Sequence, residues 1–367
     1  MSDVLRRLHS DGGQSPWLDN LQRSYLQNGT LRSLVDRGVR GLTSNPTIFQ
    51  KAIQGSTDYD AQFTELTASG VSVVDAYWTM VIDDIIGALD EFESLHASSN
   101  GVDGFVSIEV DPSLARDTQG TLEAARNLHN RINRPNVMIK IPATEEGLPA
   151  IRAMIADGRS VNVTLIFSVE RYAQVIDAYI AGISDRVKAG LDVTGVQSVA
   201  SFFISRVDNA IDPLLEKINT GESLALRGTA AVNQARIAYQ LFLSKFSGQE
   251  WETLARAGAN VQRPLWASTS TKNPAYRDTL YVDELIGPHT VNTLPEPTLE
   301  AFADHGSVTQ TITKDVDAAF DQWTKLASLG IDVREVAANL ENDGVASFIA
   351  SFDDLLAALG AKAKLPG

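Results

Sequence analysis

The chain has 367 residues, of which 44% are hydrophobic and 21% charged, as is ordinary for a soluble globular protein. Its net charge of −15 disfavours nucleic acids and acidic membrane surfaces as partners. The absence of cysteine excludes disulfides, thiolate metal ligands and cysteine nucleophiles. The N-terminus lacks the apolar core of a signal peptide, and no apolar run of roughly 20 residues suggests a membrane span, so we expect a cytoplasmic protein.

Short strand-like runs alternate along the chain with amphipathic helical patterns. The predicted strands are 16–19, 39–44, 104–110, 136–141, 160–166, 196–203, 263–268 and 289–293. Strands that alternate with helices indicate βαβ units and a parallel sheet, and therefore an α/β fold. Eight such units favour a closed (β/α)8 TIM barrel. The alternative is a doubly wound open sheet with one or two fewer strands.

We interpret residues 1–367 as a single barrel domain with additional helices. Two long connections, near 46–103 and 204–262, show helical periodicity and are predicted to be helical insertions. Residues 315–360 predict two further helices at the C-terminal end, packed on the barrel.

Three neighbouring strands repeat one pattern, because side chains alternate between the two faces of a strand. The apolar faces consist of Val106, Ile108 and Val110, then Val137, Ile139 and Ile141, then Val161, Val163 and Leu165. The opposite faces consist of Ser107 and Glu109, then Met138 and Lys140, then Asn162 and Thr164. The apolar faces suit packing under helices. The polar faces are expected to point into the barrel near its C-terminal mouth, where barrel enzymes hold their active sites.

Several familiar kinds of site lack support in the sequence. None of the histidines shares a strand end with Glu109 or Lys140, and none has the spacing of a zinc site. The chain has no GxSxG nucleophile elbow, no GxGxxG fingerprint and no Walker A loop. We therefore predict neither a metal nor an organic cofactor.

The polar residues inside the barrel fit amine catalysis. A charged lysine is costly to bury, so burial of Lys140 favours the neutral amine, which attacks ketones and aldehydes. The resulting Schiff base is an electron sink for cleavage of a carbon–carbon bond. The alternative is a purely structural polar layer, in which buried groups only stabilise one another.

These residues lie within a series of longer motifs. The motifs are GLTSNPTIF (41–49), GFVSIEVDPSLARDT (104–118), MIKIPATEEGL (138–148), VNVTLIFS (161–168) and SVASFFISRVD (198–208). With these motifs in this order, the chain resembles the transaldolase family of class I aldolase-like barrels over residues 15–305. The resemblance implies a transferase of the pentose phosphate pathway. Such an enzyme moves a dihydroxyacetone unit from sedoheptulose 7-phosphate or fructose 6-phosphate to glyceraldehyde 3-phosphate or erythrose 4-phosphate.

The resemblance also implies catalytic roles. Lys140 would form the Schiff base, and Glu109 would activate a water with Thr164 as its second partner. Asp19 would take the proton of the C4 hydroxyl as the C3–C4 bond breaks. Without the resemblance, Asp19 could simply cap the helix that follows it.

Substrate-binding roles follow in the same way. Asn45, Asn162 and Ser201 would bind the hydroxyls of the three-carbon fragment, although Asn45 before a proline also fits a turn. Relatives that act as aldolases resemble this pattern but have a tyrosine at the position of Phe203, and that tyrosine helps water release the three-carbon fragment. The phenylalanine therefore favours a transferase. It also fits an ordinary barrel-filling aromatic.

The phosphate-binding residues are the point at which the chain departs from the family pattern. Arg206 would hold the phosphate, unless it is a solvated arginine at a helix start. Where many members have a run like ASFRN with a second arginine, this chain has ASTSTKNP (267–274). Ser268 and Lys272 are the candidates there, and a lysine binds phosphate only as a point charge.

Two other functions remain open at this stage. One is a fructose 6-phosphate aldolase-like enzyme that releases free dihydroxyacetone. The other is a non-catalytic barrel that binds sugar phosphates. In each case sugar phosphates are the expected ligands, and the protein is expected to be a monomer or a homodimer.

Overall fold

The computed structural model describes residues 3–363, in which eight parallel strands close into a barrel. The strands are β1 (Gln14–Leu18), β2 (Gly41–Thr43), β3 (Phe105–Glu109), β4 (Val137–Pro142), β5 (Val161–Ile166), β6 (Ser198–Phe203), β7 (Gln262–Ala267) and β8 (Thr290–Leu294). Each strand pairs with its neighbour in chain order, and β8 pairs with β1. The predicted (β/α)8 barrel is therefore confirmed, with strand ends within two residues of the predicted ones.

Helices surround the barrel and fill its longer connections. They are α1 (Val4–Ser10), α2 (Arg23–Gln27), α3 (Thr30–Arg37), α4 (Pro46–Gln54), α5 (Asp60–Ala68), α6 (Val73–Ser98), α7 (Thr118–Ile132), α8 (Gly147–Ala156), α9 (Val169–Lys188), α10 (Ser205–Ile218), α11 (Gly221–Ala225), α12 (Ala230–Lys245), α13 (Gly248–Arg256), α14 (Leu280–Asp283), α15 (Glu296–His305), α16 (Val316–Ser328) and α17 (Val333–Lys362). A 3-10 turn covers Pro112–Leu114. Three helices (α4–α6) separate β2 from β3, and four (α10–α13) separate β6 from β7.

The apolar residues form two layers, one outside and one inside the barrel wall. Val106, Ile108, Val137 and Ile139 belong to the outer layer, between strands and helices, as their alternation predicted. The larger side chains of the inner layer are Trp17, Phe105, Met138, Leu165, Phe167, Phe203 and Phe348. Burial of both layers supplies the main hydrophobic stabilisation of the barrel.

Strand β5 departs from the predicted alternation. Its pairing with β6 shifts register between Val163 and Ile166, and Leu165 has a φ of 60°. The shift turns Leu165 into the inner layer and gives its outward place to Ile166. The prediction that Leu165 faces outward was therefore wrong, because a bulge breaks the two-residue repeat.

Helix α17 is apolar on average, although charged residues interrupt it, so the sequence shows no unbroken apolar run there. By length and composition it could cross a membrane, a test that core helices of globular proteins also pass. Here its apolar side chains are packed against the barrel and the helices around it. The buried ones are Val345, Phe348, Phe352, Leu355 and Leu359.

Candidate active site

Lys140 lies near the C-terminal end of β4, where it pairs in register with Glu109 on β3. Its Nζ atom is 3.1 Å from Oε2 of Glu109 and donates a hydrogen bond to the backbone carbonyl of Ser44 at 3.2 Å. Lys140 is 4% exposed and Glu109 5%. The mouth of the barrel thus holds an ion pair shielded from solvent, in which each charge offsets the burial cost of the other.

Glu109 has unused hydrogen-bonding capacity beside this pair. Burial raises the pKa of its carboxyl group, against the opposing effect of Lys140. Within residues 3–363, Glu109 Oε1 and the buried hydroxyl of Thr164 on β5 have no hydrogen-bond partner. Buried polar atoms of this kind are suited to binding a water molecule or a substrate hydroxyl.

Asp19 follows the end of β1 directly and is part of a chain of hydroxyl groups. Its Oδ1 accepts a hydrogen bond from Thr43 Oγ1 at 2.8 Å, and Thr43 Oγ1 lies 2.6 Å from Thr293 Oγ1. Burial raises the pKa of Asp19, with Lys140 as the strongest opposing influence. Asp19 does not cap the next helix, whose N-cap is Gln22. Its carboxylate is therefore held toward the barrel mouth.

The three predicted hydroxyl-binding residues are engaged to different degrees. Asn45 uses Oδ1 to cap α4, accepting from the Ile48 amide at 3.0 Å, so it begins a helix and not the turn that the Asn-Pro pair suggested. Ser201 donates to Asn162 Oδ1 at 2.7 Å, and Asn162 Nδ2 donates to Ser107 at 3.0 Å. Asn45 and Ser201 line the cavity at the mouth, whereas Asn162 is fully buried and contacts it only through Ser201.

The candidate phosphate-binding residues lie on two neighbouring elements. Arg206 is the second residue of α10, and its guanidinium carbon is 5.1 Å from the centroid of the Phe203 ring. Burial lowers the pKa of Arg206 from its usual value, with Asp19 as the main opposing influence. Ser268 Oγ lies 2.9 Å from Ser205 Oγ, which joins the loop after β7 to the start of α10. Lys272, further along this loop, is exposed.

One cavity of about 680 Å³ brings most of the candidates together. The predicted residues that line it are Asp19, Asn45, Lys140, Thr164, Ser201, Phe203, Arg206, Ser268 and Lys272. Glu109 reaches this group through its ion pair with Lys140, and Asn162 through its hydrogen bond with Ser201. A volume of this size suits a small polar ligand. Within residues 3–363, no cluster of three or more acidic or histidine side chains has the arrangement of a metal site.

Comparison with known proteins places this barrel in a family. The family model described as transaldolase/fructose-6-phosphate aldolase matches residues 16–359. The chain belongs to this family. A transaldolase of Mycolicibacterium smegmatis is 52% identical over 349 residues, covering 95% of this chain and 94% of that protein. A transaldolase of Thermobifida fusca is 49% identical, covering 97% of each chain, and one of Arthrobacter sp. is 50% identical, covering 95% and 94%.

All five motifs lie inside the matched range, so the transaldolase-family resemblance drawn from them is confirmed. The cavity at the barrel mouth is also lined by residues that were not predicted from the sequence. Thr43 could have been found from its place in GLTSN, at the end of a predicted strand. Lys51 on α4, Asn209 on α10 and Phe348 on α17 line the cavity too. For Phe348 no local signal exists, because only the docking of α17 brings it to the mouth.

Proposed function

We propose that this chain is a transaldolase that carries a dihydroxyacetone unit as a Schiff base on Lys140. The observation that carries the proposal is the buried Lys140–Glu109 pair, with 3.1 Å between its charged atoms, at the mouth of the barrel. Relatives at 49–52% identity that bear the name transaldolase support it. The reaction class is therefore transfer of an aldehyde or ketone residue.

The first half of the proposed reaction cleaves the donor. Neutral Lys140 attacks C2 of the ketose phosphate, and the carbinolamine loses its hydroxyl as water with help from a water held by Glu109 and Thr164. Asp19 then removes the proton of the C4 hydroxyl. The C3–C4 bond breaks, its electron pair moves toward the iminium nitrogen, and the shortened aldose phosphate leaves. A three-carbon enamine stays on Lys140.

The second half reverses these steps with a new aldehyde. C3 of the enamine attacks the acceptor, and the developing alkoxide takes a proton from Asp19. Water then adds to C2 of the product iminium, and cleavage of the C2–N bond frees the new ketose phosphate and Lys140. This sequence needs no metal or organic cofactor.

Substrate binding in this proposal uses the rest of the cavity. Asn45, Asn162 and Ser201 would bind hydroxyls of the three-carbon unit, Ser201 by exchanging its present bond to Asn162. Arg206, Ser268 and Lys272 would bind the phosphate. The positive charges of Arg206 and Lys272 matter because the chain as a whole carries a net charge of −15, which repels anions elsewhere.

The setting in which the reaction would take place is part of the proposal. Sedoheptulose 7-phosphate and fructose 6-phosphate are the proposed donors, and glyceraldehyde 3-phosphate and erythrose 4-phosphate the acceptors. We place the reaction in the pentose phosphate pathway and in the cytoplasm, with the protein acting as a monomer or homodimer.

Borohydride trapping tests the proposal. The protein is incubated with fructose 6-phosphate, reduced with borohydride, digested and analysed by mass spectrometry. We expect a reduced three-carbon adduct on the peptide that contains Lys140, and none in Lys140→Ala. Absence of an adduct in the unmodified protein would reject the Schiff base and favour a non-catalytic binding barrel. Steady turnover of fructose 6-phosphate without an acceptor would instead indicate an aldolase.

A further inference from the structure

Helix α17 lies over the mouth of the barrel and is fixed there by several side chains. Near its middle, Ser351 Oγ lies 2.8 Å from Thr47 Oγ1 on α4. Toward its N-terminal end, Glu341 forms ion pairs with Arg116 at 3.0 Å and with Arg171 at 3.6 Å. These contacts tie the helix to elements that follow β2, β3 and β5, so its position over the site is determined from several sides.

Phe348 of α17 reaches the reacting centre. It is 4% exposed and belongs to the inner apolar layer, together with Phe203 and Met138. The centroid of its ring is 5.6 Å from Lys140 Nζ. The next aromatic residue on the same helix, Phe352, belongs to the outer layer instead. Phe348 is thus an apolar neighbour of a nitrogen whose two polar neighbours are Glu109 and the Ser44 carbonyl.

A glycine one turn earlier allows this close approach. A Cβ atom at Gly344 would lie 2.9 Å from Leu165 Cδ2 and 3.5 Å from Arg206 Nη1. Any larger residue would therefore require Leu165 or the helix to move. Since residues four apart lie on the same face of a helix, Gly344 sets how deeply Phe348 enters the mouth.

The three-carbon enamine on Lys140 has two possible fates. It can attack an acceptor aldehyde through C3, which is transfer. Alternatively, C3 takes a proton from the solvent, and water adds to C2 of the resulting iminium with loss of a proton. The C2–N bond then breaks, its electron pair returns to the Lys140 nitrogen, and free dihydroxyacetone leaves. The second fate depends on access of bulk water to the enamine, which an aromatic ring beside the nitrogen restricts.

We propose that Phe348 is a specificity-determining residue that shields the Lys140-bound fragment from bulk water and so keeps it for the acceptor. This inference rests on the transaldolase function proposed above. The face of the ring also favours a nearby cation, and therefore the iminium over the neutral amine. Hydrolysis at the end of the transfer cycle uses the water that Glu109 and Thr164 are proposed to hold, so the shield does not stop turnover.

The test compares Phe348→Leu and Phe348→Ala with Leu359→Ala. The control change is made on the same helix, at a residue of equal burial, 4% exposed, in the outer layer and away from the cavities that Lys140 and Glu109 line. For each protein, release of dihydroxyacetone from fructose 6-phosphate without acceptor is divided by the rate of transfer to erythrose 4-phosphate. We expect this ratio to rise at least about tenfold in the Phe348 variants, a change of roughly 1.4 kcal/mol between the two barriers. Leu359→Ala should leave it unchanged.

Borohydride trapping is run on the same samples and separates the two proposals. A trapped adduct on Lys140 with an unchanged ratio in Phe348→Leu would overturn the shielding role alone. An equal rise in Leu359→Ala would also overturn it, because loosening of the helix would then suffice. Failure to trap an adduct in the unmodified protein would overturn both proposals. Phe348→Leu keeps apolar volume, so the comparison stands even where Phe348→Ala does not fold.

Discussion

Lys140 Nζ lies 3.1 Å from Glu109 Oε2, and the two residues are paired across adjacent strands inside the barrel mouth. The sequence alone suggested that burial would favour a neutral lysine. The structure fixes how close the carboxylate that the sequence placed on the neighbouring strand lies, and the two charges form a buried ion pair. The same carboxylate can accept the proton, and burial raises its pKa. One short proton transfer would therefore convert the ion pair into a neutral acid and a nucleophilic amine.

Glu109→Gln tests this proton transfer. The amide cannot accept the proton of Lys140, so we expect formation of the imine to slow by about 10²–10⁴-fold. The measurement is a single-turnover experiment quenched with borohydride at successive times. Equal trapping rates in the two proteins would contradict a role for Glu109 as proton acceptor.

Lys140→Met tests the electrostatic cost of the pair in the folded state. Without its cation, the buried carboxyl of Glu109 should have a pKa raised further, so the folded state binds a proton that the unfolded state releases. The unfolding free energy of the variant should therefore fall as pH rises from about 4 toward neutrality, by as much as about 3–5 kcal/mol.

Urea unfolding at several pH values measures this loss. The double variant Lys140→Met/Glu109→Gln is the matched control, because it removes the titrating group as well. It should lack the additional pH dependence. If the unfolding free energies of the single and double variants change with pH in the same way, the loss of the Lys140–Glu109 ion pair does not explain the pH dependence of stability.

Asp208 provides a second pH-dependent feature, outside the reacting centre. Its oxygens accept hydrogen bonds from the Ala231 amide at 2.8 Å and from the Tyr281 hydroxyl at 2.7 Å. Burial is the main cause that raises the pKa of this carboxyl to about 6. Because the folded state binds its proton more tightly, stability from this group is highest at low pH. About 2 kcal/mol should be lost between pH 4 and 6.

Asp208→Asn should remove this part of the pH profile. The amide oxygen can still accept the Ala231 hydrogen bond, and the amide can donate to the Tyr281 hydroxyl. We expect the difference in unfolding free energy between variant and unmodified protein to shift in favour of the variant as pH rises from 4 to 6. A difference that stays constant over this range would show that Asp208 does not titrate there.

Lys272→Ala tests the cation that stands where many family members have arginine. Loss of one charged contact to phosphate should raise the KM for phosphorylated sugars about tenfold and change kcat less. Lys217→Ala, at the far end of α10, makes the same change in net charge and is the control. An unchanged KM in Lys272→Ala would remove this lysine from the phosphate site.

The barrel could be predicted because its strands are short, regularly alternating and well separated. The same alternation placed Glu109, Lys140 and Thr164 on the inner side without reference to any family. It failed at Leu165, whose positive φ belongs to a bulge that depends on pairing with β6. Asp19 and Arg206 came only from the family resemblance, because one follows its strand and the other begins a helix.

Contacts made by distant elements could not be predicted at all. The bond between Ser201 and Asn162 depends on how two inner side chains meet, which neither strand specifies alone. The position of Phe348 depends on the docking of α17, and the helix pattern shows only that one face is apolar. Tertiary packing, and not local periodicity, decides which apolar face of a long helix covers an active site.

The order of elements along the chain has a consequence for synthesis. Helix α17 comes after all eight strands, so a ribosome releases the segments that form the barrel, with Lys140 among them, before the helix that covers it. A nascent chain arrested at that stage would present its reactive lysine to the solvent without Phe348 beside it. If Phe348 shields the bound fragment as proposed, that shielding begins only when this late helix has emerged and docked.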